Sequence, residues 1–521
     1  MKLVTVAEMR QIEAEADARG WTYAQMMERA GLELAKVVHS YDRWPENPAV
    51  TGLVGSGNNG GDTLVALAAL AGWGWKVVAY LAQPRKDGDP LVQRVLAAGG
   101  QVIESSRDAD FTLLDQILDA ADIVIDGVLG TGCKLPLRPE TARVLGRAKQ
   151  TAGLRVVAVD CPSGVDCDSG ETAEECLPAE LTVCMAAAKV GLVKLPAFAL
   201  TGQIWTVEIG LPEGLGAWEG VRRELADEER VCGLLPERPL DGHKGTFGTL
   251  VVAGGCLNYP GAPLLAGKAA ARMGVGLVRE AVAEPLLGLL APQFAEAVWT
   301  LLPHQQGTLC GLAAAALRET LPRSGQGALL VGPGLGLADC TTDFVRNLLA
   351  DASELPPMVV DADGLKHLAR IPGWEAMLPP ESVLTPHPGE MAVLSELNTA
   401  AIQSERLDIA QAHARQWGHV VVLKGAFSVV AAPDGRVGVI LAATTALAHA
   451  GTGDVLAGMI AALRAQGVPA YDAALGGAYL HALAGQEAEG RIGHPAAVLA
   501  GDVIDALPGV LKRVWRESKR P

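Results

Sequence analysis

The sequence predicts an α/β protein built from two three-layer domains, and three observations support this. At 521 residues the chain is too long for a single ordinary core. From Val50 onward, short and fully apolar runs alternate with helical patterns, which is typical of a parallel sheet covered on both faces. The alternation stops in a charged, Gly- and Pro-rich segment and then starts again. We therefore predict domains at 1–215 and 236–521, joined by a linker at 216–235.

Composition excludes several classes of partner. Hydrophobic residues make up 49% of the chain, and its net charge is -16. An acidic balance without a long Lys/Arg cluster opposes binding to nucleic acid or anionic lipid, so we expect neither partner and no membrane. The N-terminal segment lacks an apolar stretch followed by a cleavage site, which predicts a cytoplasmic protein. Nine cysteines without a CxxC pair are interpreted as reduced core thiols.

The first domain opens with two amphipathic helical stretches, VAEMRQIEAEADARG and YAQMMERAGLELAKVVHSY. Exposed helices of this kind could supply an interface, and we expect a homo-oligomer. The strand and helix patterns then alternate in the order TGLVG, DTLVALAALAGWG, WKVVAYLA, LVQRVLAAGG, ADIVIDGVLG and RVVAVDCPSG. This order predicts successive β-α-β units in one parallel sheet.

A glycine-rich loop, GSGNNGGD at 55–62, follows the first of these strands. It satisfies the pattern G-x-G-x-x-G, in which backbone amides at a helix N-terminus approach a phosphate. Arg85 ends the next strand and could meet a 2′-phosphate, which leaves an NADP-dependent oxidoreductase as an alternative. No hydride-transfer site is recognisable downstream, and the absence of Lys-Ser/Thr after the glycines excludes a P-loop.

Two further strand ends carry oxygen ligands. Asp126 and the Gly-Thr-Gly at 130–132 follow one strand, and Asp160 with Ser163 follows the next. Side chains of this kind at neighbouring carboxyl ends could surround a cation and a polar ligand. In the alternative interpretation Asp62, Asp126 and Asp160 only cap the helices after their strands, but three such residues at corresponding positions favour a site.

The second domain resumes with TFGTLVVAGG and continues through GALLVGPGLG, PPMVVDADGL and HVVVLKGAFSVVAAPDG. Its most informative segment is Gly-Thr-Gly-Asp at 451–454. Small residues there expose amides at the positive end of a helix, where charge on a transferred phosphoryl group would be stabilised. Asp454 can accept a proton from an attacking hydroxyl. Lys424 and the small residues after it could line a nucleotide, whereas His387 alone indicates little.

The first half resembles a known family. AEMRQIEAEADARG, MMERAG, GSGNNGGDTLVA, IDGVLGTG and VDCPSGVD, in this order, resemble the NAD(P)H-hydrate epimerase domain over most of 1–215. The resemblance implies a Rossmann-like sheet and a potassium ion held by Asn59, Asp126 and Ser163. It also implies that Asp126 and Asp160 are the acidic groups available for catalysis. The implied hydrate-binding residues are Asn58, Asn59, Gly60, Gly61, Asp62, Gly130, Thr131, Gly132, Cys133, Lys134, Leu135, Pro136 and Asp160.

The second half resembles the ribokinase-like superfamily, and more narrowly the ADP-dependent NAD(P)H-hydrate dehydratase, from Leu235 onward. HKGTFG, YPGAPLLA, GPGLG, DADGL, TPHPGEM, LKG and GTGDVLAG carry this resemblance. It implies ADP as the phosphoryl donor. Our hypothesis is that Asp454 is the catalytic base and that Mg²⁺ neutralises the phosphoryl group together with the amides at 451–453. The implied hydrate contacts are Ala262, Gly334, His387 and Asp454. The implied nucleotide contacts are Lys424, Gly425, Ala426, Phe427, Ser428, Gly451, Thr452 and Gly453.

Together the two resemblances imply an enzyme that repairs the hydrates of NADH and NADPH, with these hydrates and ADP as its small-molecule ligands. The first half would interconvert the R and S hydrates, and the second would dehydrate the S form. Two alternatives stay open at this stage. The second domain could be a small-molecule kinase, since its GTGD element is shared across that superfamily. The first domain could bind a nucleotide without performing chemistry.

Overall fold

A computed structural model describes residues 1–41, 48–322 and 327–517, with side chains as far as 515. The chain divides into two compact units, Met1–Arg223 and Glu224–Pro521. This division falls inside the segment predicted as a linker, whose bounds stay a prediction. The 216–235 segment is itself structured, because it contains two short helices and a short strand.

The first unit is built on a seven-stranded sheet in the order β4-β3-β2-β5-β6-β7-β9, and every pairing in it is parallel. A separate pair, β1 and β8, is also parallel. Strand order reverses between β2 and β5, which makes the carboxyl ends of these two strands the expected ligand crevice. The strands are β1 Leu3–Val4, β2 Ala49–Val54, β3 Lys76–Leu81, β4 Gln101–Glu104, β5 Ile123–Gly127, β6 Val156–Val159, β7 Leu181–Met185, β8 Ala188–Lys189 and β9 Gln203–Val207.

Helices cover both faces of this sheet, and each face has its own apolar core. Ile12 and Leu34 lie in one buried cluster, and Leu118 and Val144 lie in the other. The two N-terminal helices therefore turn their apolar faces into the unit. The helices are α1 Val6–Ala18, α2 Tyr23–Ser40, α3 Asn58–Gly72, α4 Pro90–Ala97, α5 Thr112–Asp119, α6 Pro139–Lys149, α7 Phe198–Thr201 and α8 Gly216–Glu219. This arrangement confirms the three-layer prediction.

The second unit carries a ten-stranded sheet in the order β10-β21-β20-β19-β18-β17-β16-β11-β12-β13. Strands β11 to β13 and β16 to β19 pair in parallel, whereas β20 is antiparallel to both of its neighbours. Strand order reverses between β11 and β16. The strands are β10 Arg223–Leu225, β11 Thr249–Ala253, β12 Leu277–Ala283, β13 Val298–Leu302, β14 His304–Gln305, β15 Thr308–Leu309, β16 Gly327–Val331, β17 Met358–Val360, β18 Val383–Leu384, β19 Val420–Leu423, β20 Val429–Ala431 and β21 Val437–Val439.

The helices of the second unit include two long and strongly buried ones, α18 and α19. A Cβ at Gly458 of α18 would lie 2.1 Å from the carbonyl oxygen of Ala266, so glycine permits close packing against α10. The helices are α9 Glu228–Cys232, α10 Gly261–Arg272, α11 Leu287–Leu290, α12 Ala313–Arg318, α13 Asp339–Leu348, α14 Asp363–Leu368, α15 Pro388–Ser395, α16 Thr399–Ser404, α17 Arg406–Trp417, α18 Thr452–Ala465, α19 Ala470–Ile492 and α20 Ala500–Glu517. Among the described helices, none combines the length and the apolar character needed to cross a membrane.

One prediction about the cysteines is wrong. Cys310, which follows β15, and Cys340, in the first turn of α13, form a disulfide with their Cα atoms 4.8 Å apart. A separation of 30 residues gives no spacing signal, and only the packing of β15 beside α13 brings the two together. The other seven cysteines are free thiols, as expected, and five of them are buried.

Candidate active sites

The glycines of the first loop allow close packing against neighbouring backbone, in addition to leaving the backbone amides accessible. A Cβ at Gly55 would lie 1.9 Å from the carbonyl oxygen of Val128, and one at Gly60 would lie 2.0 Å from the carbonyl oxygen of Gly55. A Cβ at Gly127 would lie 1.8 Å from Thr63 Oγ1. The turn between β2 and α3 is therefore pressed against the end of β5, at the point where strand order reverses.

Asn59, Asp126 and Ser163 are brought together there, as the sequence predicts. Asp126 Oδ1 accepts a hydrogen bond from Ser163 Oγ at 2.6 Å, and its Oδ2 accepts one from the Ser163 amide at 2.8 Å. Asn59 Nδ2 donates to the carbonyl oxygens of Leu129 at 2.9 Å and Val159 at 2.7 Å. All three side chains are buried. The cluster gathers amide, carboxyl, hydroxyl and carbonyl oxygens, the donor types that hard cations prefer.

Asp126 is fully buried, and burial raises the pKa of its carboxyl, although hydrogen bonds from Ser163 and Val128 partly oppose this. Because both of its oxygens already accept hydrogen bonds, the carboxyl has little freedom to exchange a proton with a ligand. Its roles as a cation ligand and as a catalytic acid stay predictions.

Asp160 occupies a different environment. Its backbone has φ +67°, an unusual conformation for a residue other than glycine, and its carboxylate pairs with Lys189. Asp160 Oδ1 also accepts a hydrogen bond from the Met185 amide at 2.9 Å. Lys189 is completely buried; burial lowers its pKa, but the Asp160 carboxylate more than compensates and the pKa is raised overall. The ion pair therefore keeps both charges in a dry setting.

Two carboxyl groups lie beside this ion pair. Burial raises the pKa of Asp62 well above its ordinary value, and the charges of Asp160 and Glu13 raise it further. Burial and the Asp160 charge likewise raise the pKa of Glu13. Both side chains line a small cavity of about 50 Å³, together with Asn58 and Met185.

The other predicted residues of the first site form its rim. The loop at 130–136 follows β5, and Thr131 and Cys133 in it are half-buried, while Lys134 is exposed. Burial raises the pKa of the Cys133 thiol to about 11, so this cysteine is not an activated nucleophile. Gly130, Gly132, Leu135 and Pro136 complete the loop.

Arg85 is already engaged within the unit. Its Nε donates to Asp89 Oδ2 at 2.8 Å, and its Nη1 donates to the Gly55 carbonyl oxygen at 2.7 Å. The guanidinium thus braces the glycine-rich loop, which weakens the alternative in which it receives a 2′-phosphate.

Lys189 and Glu13 are site residues that the sequence motifs do not predict. A signal for Lys189 exists, because it is the sole charged residue in LTVCMAAAKVGLV at 181–193. A lysine inside an otherwise apolar run usually needs a buried partner. Glu13 gives no such signal, because it lies in a helix with many other acids.

In the second unit, the GTGD segment begins α18 as predicted. Gly451 is the N-cap, with φ +91°, and Thr452 Oγ1 donates to the carbonyl oxygens of Leu447 at 2.8 Å and His449 at 2.9 Å. A Cβ at Gly453 would lie 3.5 Å from Lys424 Nζ. The positive end of α18 and a buried ammonium therefore face the same space, which favours an anionic ligand.

Lys424 is the centre of a buried charge network. Its Nζ lies 2.7 Å from Asp361 Oδ1 and 3.7 Å from Glu390 Oε2. Burial lowers the pKa of Lys424, but the two carboxylates outweigh this and raise it overall. Burial alone would raise the pKa of Glu390, yet hydrogen bonding from His387 and the charge of Lys424 bring it down to about 2.

Asp454 stands at the edge of this network, in the first turn of α18. Burial raises the pKa of its carboxyl to about 7, and the charges of Asp361 and Asp363 add to the rise while Lys424 opposes it. A base with a pKa near neutrality accepts a proton and releases it again within the physiological pH range.

A cavity of about 480 Å³ opens beside Lys424. The predicted nucleotide contacts that line it are Lys424, Gly425, Ala426, Ser428, Thr452 and Gly453. Its other walls are mostly apolar and include Ile440, Leu447 and Leu456. Phe427 and Gly451 lie outside this lining. The volume and the mixture of apolar walls with a few polar groups are typical of a small-molecule site.

Arg406, at the start of α17, holds the loop beneath this cavity. Its Nη2 donates to the carbonyl oxygens of Leu423 at 2.8 Å, Lys424 at 3.1 Å and Phe427 at 3.3 Å. Burial lowers the pKa of Arg406 to about 10, which still leaves the guanidinium charged at neutral pH.

The predicted hydrate contacts lie on neighbouring loops at the carboxyl end of the sheet. A Cβ at Gly334 would lie 2.9 Å from the Ala262 side chain, so these two residues are adjacent. His387 caps α15, because its Nδ1 accepts from the Gly389 amide at 3.0 Å while its Nε2 lies 3.2 Å from Glu390 Oε1. Half of the His387 side chain remains exposed, which leaves it available to a ligand.

The described residues contain no group of three or more His, Cys, Asp or Glu side chains placed to hold a metal ion.

Comparisons with known proteins agree for both halves. A family model described as NAD(P)H-hydrate dehydratase matches residues 250–508, and one described as YjeF-related protein N-terminus matches residues 23–191. The Bifunctional NAD(P)H-hydrate repair enzyme Nnr of Moorella thermoacetica is 38% identical, over 99% of this chain and 98% of that protein. The Escherichia coli protein of the same name is 33% identical, over 97% and 93%. The crystal structure of an ADP/ATP-dependent NAD(P)H-hydrate dehydratase from Bacillus subtilis, co-crystallised with ATP/Mg²⁺, is 32% identical with TM-score 0.48 and covers 56% of this chain and 98% of that one.

Proposed function

Because the chain belongs to the family of bifunctional NAD(P)H-hydrate repair enzymes, we propose that it returns hydrated NADH and NADPH to their normal forms. The first unit interconverts the R and S hydrates, and the second dehydrates the S hydrate with ADP as phosphoryl donor. One observation carries the proposal: Asp454, Lys424 and the amino end of α18 converge beside a cavity of nucleotide size.

The dehydration needs a better leaving group than hydroxide. Asp454 takes the proton of the hydrate hydroxyl, whose oxygen attacks the terminal phosphorus of ADP and releases AMP. The amides of Gly453 and its neighbours, with Lys424, stabilise the charge on the phosphoryl group. The carbon–oxygen bond then breaks with assistance from the ring nitrogen's electron pair, and loss of a neighbouring proton regenerates the dihydropyridine ring and phosphate.

Two ions belong to this proposal. Asn59, Asp126 and Ser163 would hold K⁺, since they supply oxygen ligands around a buried carboxyl group. Mg²⁺ in the second unit would neutralise charge on the phosphates, and Asp361, Asp363 and Glu390 supply negative charge near that position.

The function is tested by following absorbance recovery in the reduced-nicotinamide band. The substrate is a mixed R/S hydrate, given ADP and Mg²⁺, with ATP as the comparison. Complete recovery with ADP supports both activities. Recovery that stops when the S form is exhausted would reduce the first unit to a binding module. No recovery with either nucleotide would favour the small-molecule kinase alternative.

Asp454→Asn tests the dehydratase assignment directly. We expect the rate of S-hydrate dehydration to fall at least about a hundredfold, because the variant cannot accept the hydroxyl proton. Asp343→Asn is the matched control, since Asp343 is an exposed acid elsewhere in the same unit. Near-normal dehydration by Asp454→Asn would show that another group is the base.

Two expectations remain predictions. A cytoplasmic location rests on the N-terminal segment and on the cysteine pattern of the sequence. A homo-oligomer was expected from exposed amphipathic helices, but the apolar faces of α1 and α2 are packed inside the unit, so light scattering must decide.

A further inference from the structure

Among the buried carboxyl groups that the structure describes in the first unit, Asp62 is the one whose side chain accepts no hydrogen bond. It is 8% exposed and lines the small cavity, and its surroundings act on it through burial and nearby charges, without a hydrogen bond. Asp126 accepts hydrogen bonds at both oxygens, and Asp160 is paired with Lys189. A buried carboxyl group with neither donor nor counterion of its own is most stable when it is protonated.

The Asp62 carboxyl group lies where its proton could reach a ligand bound in the first unit. The side chain lines the small cavity with Asn58, Met185 and Glu13, next to the glycine-rich loop. The titratable groups facing it are Glu13 from α1, Asp160 after β6 and Lys189 from β8, and Tyr23 of α2 lines the same cavity. Burial and the two acidic neighbours raise the pKa of Asp62, whereas Lys189 opposes them.

The chemistry of epimerisation requires such a group. The two hydrates differ in configuration at the ring carbon that carries the hydroxyl and adjoins the ring nitrogen. Inverting that carbon by direct substitution requires its carbon–oxygen bond to break, and hydroxide leaves poorly unless it is protonated. The ring then becomes a cation, which a cavity with several carboxyl groups stabilises.

We propose that Asp62 is the general acid of the epimerase site, donating the proton with which the hydroxyl leaves as water. This inference rests on the proposed epimerase function. The carbon–oxygen electron pair departs with the water, and the nitrogen lone pair forms a carbon–nitrogen double bond. Water then adds to the opposite face of the planar cation, and the double-bond electrons return to nitrogen. The proton released by the added water passes to a second carboxylate, Asp160 or Glu13, and returns to Asp62 between turnovers.

The test uses the full-length protein and a single purified hydrate epimer, without nucleotide, so that only epimerisation is observed. The variants are Asp62→Asn and Asp62→Glu, and the control is Asp110→Asn, which changes an exposed acid of the same unit. We expect Asp62→Asn to slow epimerisation about 10²- to 10⁴-fold, and Asp62→Glu to restore part of the rate. ADP-dependent dehydration of the S hydrate, which belongs to the second unit, should stay normal in all three variants. Thermal melts that match the wild type would show that the first unit is folded in each variant.

Two further readouts separate an acid from a structural residue. A general acid must be protonated, so wild-type epimerisation should fall as pH rises through the raised pKa of Asp62, and this fall should vanish in Asp62→Asn. In H₂¹⁸O, each epimerisation should place solvent oxygen in the product. A normal rate in Asp62→Asn, an unchanged pH profile, or retention of the original oxygen would overturn the proposal. A wild-type protein that does not accelerate epimerisation would instead refute the epimerase function itself.

Discussion

The pH dependence of dehydration follows from the surroundings of Asp454. Its pKa is raised to about 7 by burial and by the neighbouring carboxylates of Asp361, Asp363 and Glu390, against the opposing charge of Lys424. As a base it works only when ionised. With a pKa of about 7 the ionised fraction is about 9% at pH 6 and about 91% at pH 8, so kcat/KM should rise about tenfold over this range.

The assay is the initial rate of absorbance recovery at low S-hydrate concentration, with ADP and Mg²⁺ held constant. The variant Asp363→Asn tests the direction in which the pKa of Asp454 shifts when a neighbouring charge is removed. It removes one of the negative charges that raise the pKa of Asp454 but keeps an oxygen to accept the hydrogen bond from the Gly336 amide. The acidic limb of the profile should therefore move to lower pH. A flat wild-type profile between pH 6 and 8, or a limb that moves upward in the variant, would refute this account of the base.

Three further predictions concern buried groups. Glu280 is fully buried without a hydrogen-bond partner among the described residues, and burial raises its pKa well above the ordinary value, so folding requires its proton. Stability should then fall by about 1.4 kcal/mol per pH unit between the unfolded and folded pKa values, and Glu280→Gln should abolish this fall in thermal melts. Lys189→Met should destabilise the first unit by about 3 kcal/mol in urea titrations, because Asp160 loses its buried counterion; an unchanged midpoint would contradict the ion pair. Gly60→Ala should abolish epimerisation and spare dehydration, since the new Cβ would meet the Gly55 carbonyl oxygen at 2.0 Å.

The sequence predicts the layer architecture well because short apolar strands alternate with helical patterns along most of each domain. TGLVG and ADIVIDGVLG fall on β2 and β5, and the GTGD segment begins α18. The ribbon of β20 and β21 was not predicted, because strands of three residues carry almost no periodic signal. Its antiparallel pairing became visible only in the folded sheet.

The candidate sites were predictable as sets of residues but not as electrostatic arrangements. Asp62 and Asp160 were both named from the sequence, yet nothing in the spacing shows that Lys189 neutralises one and leaves the other without a donor. In the second unit, Lys424 is assigned to the nucleotide, whereas its contacts with Asp361 and Glu390 appear only once the ends of β17 and β19 meet the start of α15. Ion pairs between residues far apart in the chain depend on how the elements pack, so no local sequence pattern predicts them.

Arg406 holds the shape of a cavity that it does not line. One guanidinium nitrogen donates hydrogen bonds to three carbonyl oxygens, one at the end of β19 and two in the loop around Lys424. The loop is therefore held by a residue of α17 that does not line the cavity. A list of contact residues compiled from a bound nucleotide would omit this arginine. A substitution at position 406 would therefore disturb the loop around Lys424 while every side chain that lines the cavity stays the same, and surveys of natural variants that score only the lining positions would overlook it.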